Sequence, residues 1–316
     1  MGSHKFKLGM FLTEPQLPFE EALDLAAELG VKYLWYMCNG EVSGRSEDKA
    51  LVSMSEAEID AMQAKLTSRG QEFFLLLNRP HFKGIHLTDL ELETMEEHPI
   101  FKRDFDELVR TMEVAAYLGV PAVNVFSFLW PGELAGKQTW PMRWMTRGGV
   151  ISDLDMDKLV KAFSLIMEQG ERHDVDVAVS MMPWNYTNTT GNFRRVAERV
   201  GSPRMKVMWG PADNTNCGEN DTATAGFQNL RPYLYGLHIK DLRVNDGLSL
   251  DFEYCPFGEG DTDYPTVFRN LRDHDCDVFV SLATHFQPPG GTNVDAMRIN
   301  AANIKKLLDQ VENETA

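Results

Sequence analysis

The chain has 316 residues, of which 43% are hydrophobic and 25% are charged, as in an ordinary globular protein. Its formal net charge of −16 opposes binding to nucleic-acid phosphates. No apolar run approaches the roughly 20 residues that a membrane span needs. We therefore expect neither a nucleic-acid nor a membrane partner. The four cysteines form no CxxC pair, which favours free thiols and a cytoplasmic location.

Strand-like and helix-like segments alternate along the whole chain. The predicted strands are 7–12, 31–36, 73–77, 122–126, 175–181, 205–209, 235–240 and 278–282. The predicted helices are 18–30, 55–69, 101–118, 155–172, 191–200, 222–229, 264–273 and 293–311. Eight repeats of this unit predict an α/β fold, a single-domain (β/α)₈ TIM barrel over residues 5–312. We interpret residues 1–4 as an expression remnant.

A doubly wound open sheet is the alternative fold, and it is disfavoured because no Gly-rich dinucleotide fingerprint follows an early strand. The longest segment between a predicted strand and the next helix is 127–153, which contains Trp130 and two further tryptophans. In a barrel, such segments form the catalytic face. We expect this segment to act as a lid over the site, with a contact in a homo-oligomer as the equally weighted alternative.

Two motifs in the last third of the chain resemble a known family. Residues 236–241 read Gly-Leu-His-Ile-Lys-Asp, and residues 257–264 read Phe-Gly-Glu-Gly-Asp-Thr-Asp-Tyr. They resemble the H-x-K-D strand and the following G-E-G loop of the xylose-isomerase-like barrels, a family of sugar phosphate isomerases and epimerases. The order of the elements agrees with that family over nearly the whole chain. The resemblance implies a barrel enzyme that acts on a small sugar-like molecule.

Members of that family usually bind one divalent metal through Glu, Asp, His and Glu at the ends of strands five to eight. The matching positions here are Ser180, Gly210, His238 and Ala283, so one ligand of four remains. The resemblance therefore implies that the usual metal is lost, and we expect no cofactor. A divalent metal is compatible with the sequence only if a site is rebuilt around His238, for example with Asp213 and His285.

Alternation along the seventh predicted strand places His238 and Lys240 on one inward face, opposite Leu237 and Ile239. We expect His238 and Lys240 to be catalytic, together with Glu259 from the G-E-G loop and Asp213 after the sixth strand. A packed histidine, a paired lysine and a turn-forming aspartate are the structural alternatives. Six further residues at the predicted mouth are candidates for substrate binding: Ser180, Trp184, His285, Arg79, His81 and Trp130.

The leading hypothesis is an isomerase or epimerase that moves a proton next to a carbonyl of a sugar, keto-sugar or sugar acid. In it, Lys240 and His238 stabilise the anion and Glu259 or Asp213 is the base. A lyase that performs β-elimination or decarboxylation is the runner-up, because it passes through the same anion. A non-catalytic barrel that binds a sugar or serves as a partner subunit is the alternative from another class. It is motivated by the three lost carboxylates.

Overall fold

The computed structural model describes residues 6–37, 49–130, 149–246 and 251–314. Eight parallel strands form a barrel: β1 Phe6–Phe11, β2 Tyr33–Met37, β3 Glu72–Leu77, β4 Ala122–Phe126, β5 Asp176–Ser180, β6 Met205–Trp209, β7 Leu234–Ile239 and β10 Val278–Leu282. They pair in this order, and β10 pairs with β1 to close the barrel. The predicted (β/α)₈ barrel is therefore confirmed.

Helices follow the barrel strands and cover the outside of the barrel. Among the described residues they are α1 Phe19–Glu28, α2 Glu56–Thr67, α3 Pro99–Leu118, α4 Asp153–His173, α5 Thr190–Val200, α6 Pro211–Asn216, α7 Phe227–Leu230, α8 Tyr264–Asp273 and α9 Asn293–Asn313. Local sequence sets several of their ends. Ser55 and Thr292 each close a capping box at the start of α2 and α9. None of the described helices is both long and apolar enough to cross a membrane.

The structure differs from the predicted elements in the segments after β6 and β7. Helix α6, Pro211–Asn216, was not predicted. A single helix was predicted over 222–229, whereas the chain forms a π-helical turn over Thr222–Gly226 before α7. A two-stranded antiparallel sheet, β8 Asp241–Asp246 and β9 Asp251–Cys255, was not predicted. The sequence signal for it is Asp246-Gly247, a hairpin-turn dipeptide flanked by alternating apolar residues. This hairpin continues directly from β7 and stands above the barrel mouth.

The inside of the barrel is closed at one end and open at the other. At the amino ends of the strands, Phe74 stacks on Phe279 with 4.4 Å between ring centroids, and Tyr33 and Tyr235 pack against Phe279. These rings fill the lumen. The open space lies at the carboxyl ends of the strands, where active sites of this fold are built.

Candidate active site

A cavity of about 210 Å³ occupies the mouth of the barrel. It is smaller than the roughly 300–1,000 Å³ typical of pockets for drug-sized ligands, which favours a small ligand. Apolar side chains form most of its wall, and charged or polar groups converge in it. The side chains of this polar group are Glu14, Lys83, Ser180, Asp213, His238, Lys240 and His285.

Lys240 and Asp213 form a buried ion pair in this cavity. The Lys240 Nζ atom lies 3.0 Å from Asp213 Oδ2, and the two side chains are 2% and 4% exposed. Burial by itself would lower the pKa of Lys240, but Asp213, together with Tyr254 and Glu14, outweighs it, and the pKa is raised above its usual value. The ammonium is therefore held charged at the base of the cavity. Tyr264 fixes the backbone here, because its hydroxyl donates to the Lys240 carbonyl.

The absence of a side chain at Gly210 makes room for this pair. A Cβ built at Gly210 would collide with the Asp213 carboxylate. Asp213 lies in the first turn of α6, which begins at Pro211, and its backbone N–H donates to the Gly210 carbonyl. Its neighbour Asn214 anchors the turn by accepting from the Trp209 indole at 2.8 Å. The Asp213 carboxylate thus turns back over the end of β6.

His238 lies beside this pair, between aromatic rings. Its ring makes edge contacts with Trp35, at 5.2 Å between centroids, and with Phe11, at 6.1 Å. Burial, the Lys240 charge and His285 together lower the pKa of His238 well below its usual value. The imidazole is therefore neutral at physiological pH. Its Nδ1 atom is buried without a hydrogen-bond partner, which is uncommon for a polar atom inside a folded protein.

Glu14 and His285 form a second group at the rim. Glu14 Oε1 lies 3.6 Å from His285 Nε2, while Oε2 accepts from the backbone N–H and hydroxyl of Thr284 at 3.2 and 3.3 Å. His285 has a positive φ of 59°, an uncommon conformation for a residue other than glycine. Burial of the ring and the nearby Lys240 charge lower its pKa. The ring of Tyr254, from the hairpin, lies 5.0 Å away.

The structure does not bring Glu259 to the cavity, so its predicted role as a base is not supported. Its side chain is exposed. The G-E-G loop instead wraps Asp241, whose carboxylate accepts from the backbone N–H groups of Gly258 and Gly260 at 3.0 and 3.1 Å and from Leu242 at 2.9 Å. A Cβ at Gly260 would collide with that carboxylate. The motif therefore shapes the loop around Asp241 and turns Glu259 to solvent.

Arg79 and His81 likewise lie outside the cavity. The Arg79 guanidinium contacts the carboxylates of Asp104 and Glu107 on α3, at 2.8 and 2.7 Å. His81 is fully buried, 3.6 Å from the Glu107 carboxylate. Both therefore attach the loop after β3 to the helix layer. The same loop does place one cation in the cavity, Lys83, which the sequence analysis missed.

Of the other predicted binding residues, some line the cavity and others pack behind its wall. Ser180 lines the cavity, and its hydroxyl is hydrogen-bonded to Asn124 at 2.9 Å. The Trp184 ring packs on Lys83, with Nζ 5.1 Å from the ring centroid. Trp130 stacks on Tyr186 at 4.5 Å and takes part in packing rather than lining the cavity. The predicted lid over 127–153 falls largely on 131–148, which lie outside the described residues.

A closed barrel of eight parallel strands with a polar cavity at their carboxyl ends has the architecture of the TIM-barrel proteins. More narrowly, the chain belongs to the xylose isomerase-like TIM barrel family, whose sequence model matches residues 23–307. A comparison with curated proteins finds no match.

Solved structures of similar fold include D-psicose 3-epimerase with D-tagatose from Clostridium cellulolyticum H10, at 16% identity and a TM-score of 0.64 over 96% of this chain and 95% of that one. The probable 3-DHS dehydratase AsbF, involved in petrobactin synthesis, from Bacillus anthracis matches at 14% identity, with a TM-score of 0.64 over 95% and 98%. The IOLI protein with a binding zinc atom matches at 12% identity, with a TM-score of 0.71 over 98% and 100%. At these identities the likeness shows the fold.

The four positions that carry the metal in the family do not fit a divalent cation in this chain. Ser180 is hydrogen-bonded to Asn124, Gly210 and Ala283 offer no side-chain ligand, and His238 alone retains a ligand atom. A divalent cation needs several ligands. The hypothesis of a rebuilt site with Asp213 also needs correction, because Asp213 is bound to Lys240.

A different trio offers ligand atoms in one place. One potential ligand atom from each of Glu14, His238 and His285 lies within 4.8 Å of the other two. Among the described residues, this is the one cluster of three or more His, Cys, Asp or Glu side chains close enough to hold a metal ion together. Two neutral imidazoles and one carboxylate suit zinc or iron. The Lys240 ammonium next to His238 opposes a second cation there. This trio is therefore an alternative metal site, and measuring the metal content of the protein tests it.

Proposed function

We propose that this chain is an enzyme that moves a proton at the carbon next to a carbonyl of a small sugar, keto-sugar or sugar acid, as an isomerase or epimerase. The observation that carries this proposal is the buried Lys240–Asp213 pair in the cavity. It joins a cation and a carboxylate whose side chains are almost wholly buried. The family, and a similar fold in an epimerase structure that contains D-tagatose, support a sugar-like substrate.

In the proposed reaction, Lys240 donates a hydrogen bond to the carbonyl oxygen of the substrate, and Asp213 removes the proton from the adjacent carbon. The electron pair of the C–H bond forms a C=C bond, and the carbonyl electrons move to the oxygen, which becomes an enediolate. Lys240 stabilises this oxygen because its charge is already in place and is poorly screened. Protonation of the former carbonyl carbon, with transfer of the adjacent hydroxyl proton to the enediolate oxygen, gives an isomer. Protonation of the original carbon on its other face gives an epimer.

The remaining groups bind and orient the substrate. A neutral His238, whose side chain lines the cavity, exchanges hydrogen bonds with substrate hydroxyls without adding charge. Phe11 and Trp35 stack on each other at 4.3 Å and form an apolar wall for the C–H face of a sugar. Glu14 at the rim is the second acid–base group: in its carboxylic acid form it donates a proton to the other face of the substrate carbon in an epimerisation. We further propose that Lys240, rather than a metal at the family positions, supplies the electrophilic stabilisation.

Incubation in D₂O with a panel of ketoses, aldoses and sugar acids tests this function. We expect solvent deuterium at the carbon next to the carbonyl in recovered substrate or product, and much less of it with Lys240→Met. Lys102→Met is the matched control, because Lys102 is an exposed cation paired with Asp106 on α3. No deuterium incorporation from any compound contradicts the proposal and favours the binding barrel. Incorporation that accompanies loss of water or carbon dioxide identifies the lyase instead.

A further inference from the structure

Lys83 reaches the cavity from the loop after β3 and lies between two aromatic rings. Its Nζ atom is 5.1 Å from the ring centroid of Trp184 and 5.5 Å from that of Phe126. Both rings belong to the carboxyl ends of neighbouring barrel strands or the segments just after them. The two rings contact the ammonium itself, at the point where Lys83 lines the cavity.

The two carboxylates of the cavity are already engaged by other groups. Asp213 pairs with Lys240, and Glu14 holds Thr284 and faces His285. Among the described residues, no carboxylate lies within 4.0 Å of the Lys83 ammonium. Lys240 thus has its counter-ion in Asp213, whereas Lys83 has none among the residues that the structure describes. A half-buried cation without a counter-ion is costly to the folded protein unless a ligand supplies the anion.

We propose that Lys83 binds the anionic group, a carboxylate or a phosphate, of a small substrate that carries its carbonyl to Lys240. This inference rests on the proposed function and narrows its substrate class to anionic carbonyl compounds, such as keto-sugar acids. The chemistry is consistent, because an ammonium forms short charge-assisted bonds to both carboxylate and phosphate oxygens. The two lysines then have different tasks: one holds the fixed end of the substrate, and the other holds the end that reacts.

Electrostatics at Lys83 support this assignment. Burial, and then the charge of Lys240, lower the pKa of Lys83. An anion bound beside the ammonium acts in the opposite direction and raises that pKa. When the pH is near the pKa of Lys83 in the ligand-free protein, binding of an acid should be accompanied by proton uptake. Binding of a neutral sugar should not.

The test compares sugar acids and sugar phosphates with their neutral parent sugars. Binding of aldonic, uronic and 2-keto-sugar acids, and of hexose and pentose phosphates, is measured by thermal shift and titration calorimetry on the full chain. We expect the acids and phosphates to bind more tightly than the neutral parent sugars. Lys83→Met should weaken the binding of these anions by about 10–100-fold. Lys83→Arg, which keeps the cation, should recover part of the affinity. Lys102→Met, which removes an exposed cation, should leave it unchanged. The acid and phosphate arms show which anion the site prefers.

The proposal is overturned if neutral parents bind as tightly as the anions, if no anion binds, or if Lys83→Met binds anions as wild type does. Its failure is separable from that of the proposed function. Solvent deuterium in a neutral sugar, unaffected by Lys83→Met, leaves the proton-transfer reaction standing without this substrate class. Binding of acids that depends on Lys83, with no deuterium incorporated into any of them, retains the anion site and rejects the reaction.

Discussion

The Lys240 ammonium lies 3.0 Å from the Asp213 carboxylate, at the point where β7 and α6 meet beneath the cavity. Both side chains are almost wholly buried, so each charge depends on the other for compensation. The pair links the stability of the barrel mouth to its chemistry, and several experiments separate the two.

Breaking this pair should destabilise the protein. Lys240→Met leaves a buried carboxylate without a partner, and removal of one member of a buried pair typically costs about 3–5 kcal/mol in the free energy of unfolding. The double variant Lys240→Met/Asp213→Asn should be more stable than either single variant. Urea denaturation of the double-mutant cycle measures this. Additive effects of the two substitutions would contradict a direct coupling.

Turnover should respond to the same residues differently. Loss of one preorganised donor to a developing oxyanion typically lowers kcat by about 10²–10³. We expect a loss of that size for Lys240→Met, once a substrate is known. Glu259→Gln should retain nearly wild-type kcat, because Glu259 is exposed and outside the cavity. A large loss of kcat in Glu259→Gln would show that the G-E-G loop closes over the substrate.

Restoring the family carboxylate on β6 should not by itself restore a metal site. In Gly210→Asp the new Cβ meets the Asp213 carboxylate, and overpacking of this kind typically costs about 1–3 kcal/mol. Gly210→Ala adds the same Cβ without a charge and should lower the melting temperature as well. Thermal unfolding of the two variants tests this. Equal melting temperatures for wild type and Gly210→Asp would contradict it.

Metal content distinguishes the proposed metal-free reaction from a metal centre at Glu14, His238 and His285. We expect protein purified without added metal to hold far less than one divalent ion per chain, and its turnover to survive EDTA. Elemental analysis and zinc titration measure this. One tightly bound zinc per chain that is lost in both Glu14→Gln and His285→Asn would identify the Glu14–His238–His285 trio as a metal centre instead.

Acid should weaken the fold through His238. The pKa of His238 is lowered in the folded state. Below about pH 6.5, the unfolded chain therefore binds a proton at this histidine that the folded chain does not bind. The free energy of unfolding therefore falls as the pH drops below that value, by at most about 1.4 kcal/mol per pH unit from this group. Urea unfolding in EDTA at several pH values should show a shallower decline for His238→Asn. Identical slopes for the two proteins would contradict the assignment.

What the sequence by itself determined is the part of this protein governed by local periodicity. Repeated strand and helix patterns predicted the barrel. The two-residue period of a strand placed His238 and Lys240 on one inward face, and both line the cavity. The replacement of family carboxylates by Ser180, Gly210 and Ala283 can also be seen without coordinates.

Only the tertiary structure decided which loop side chains reach the cavity. Glu14 meets His285 there, although they come from opposite ends of the chain, and Lys83 reaches it while Arg79 in the same loop turns to α3. Glu259 points away from the cavity because the backbone N–H groups of its neighbours Gly258 and Gly260 donate to the Asp241 carboxylate, which fixes the loop. The physical reason is that a strand has a fixed alternation of faces, whereas a loop has none. The direction of a loop side chain depends on backbone torsions and on partners brought together by the closed barrel.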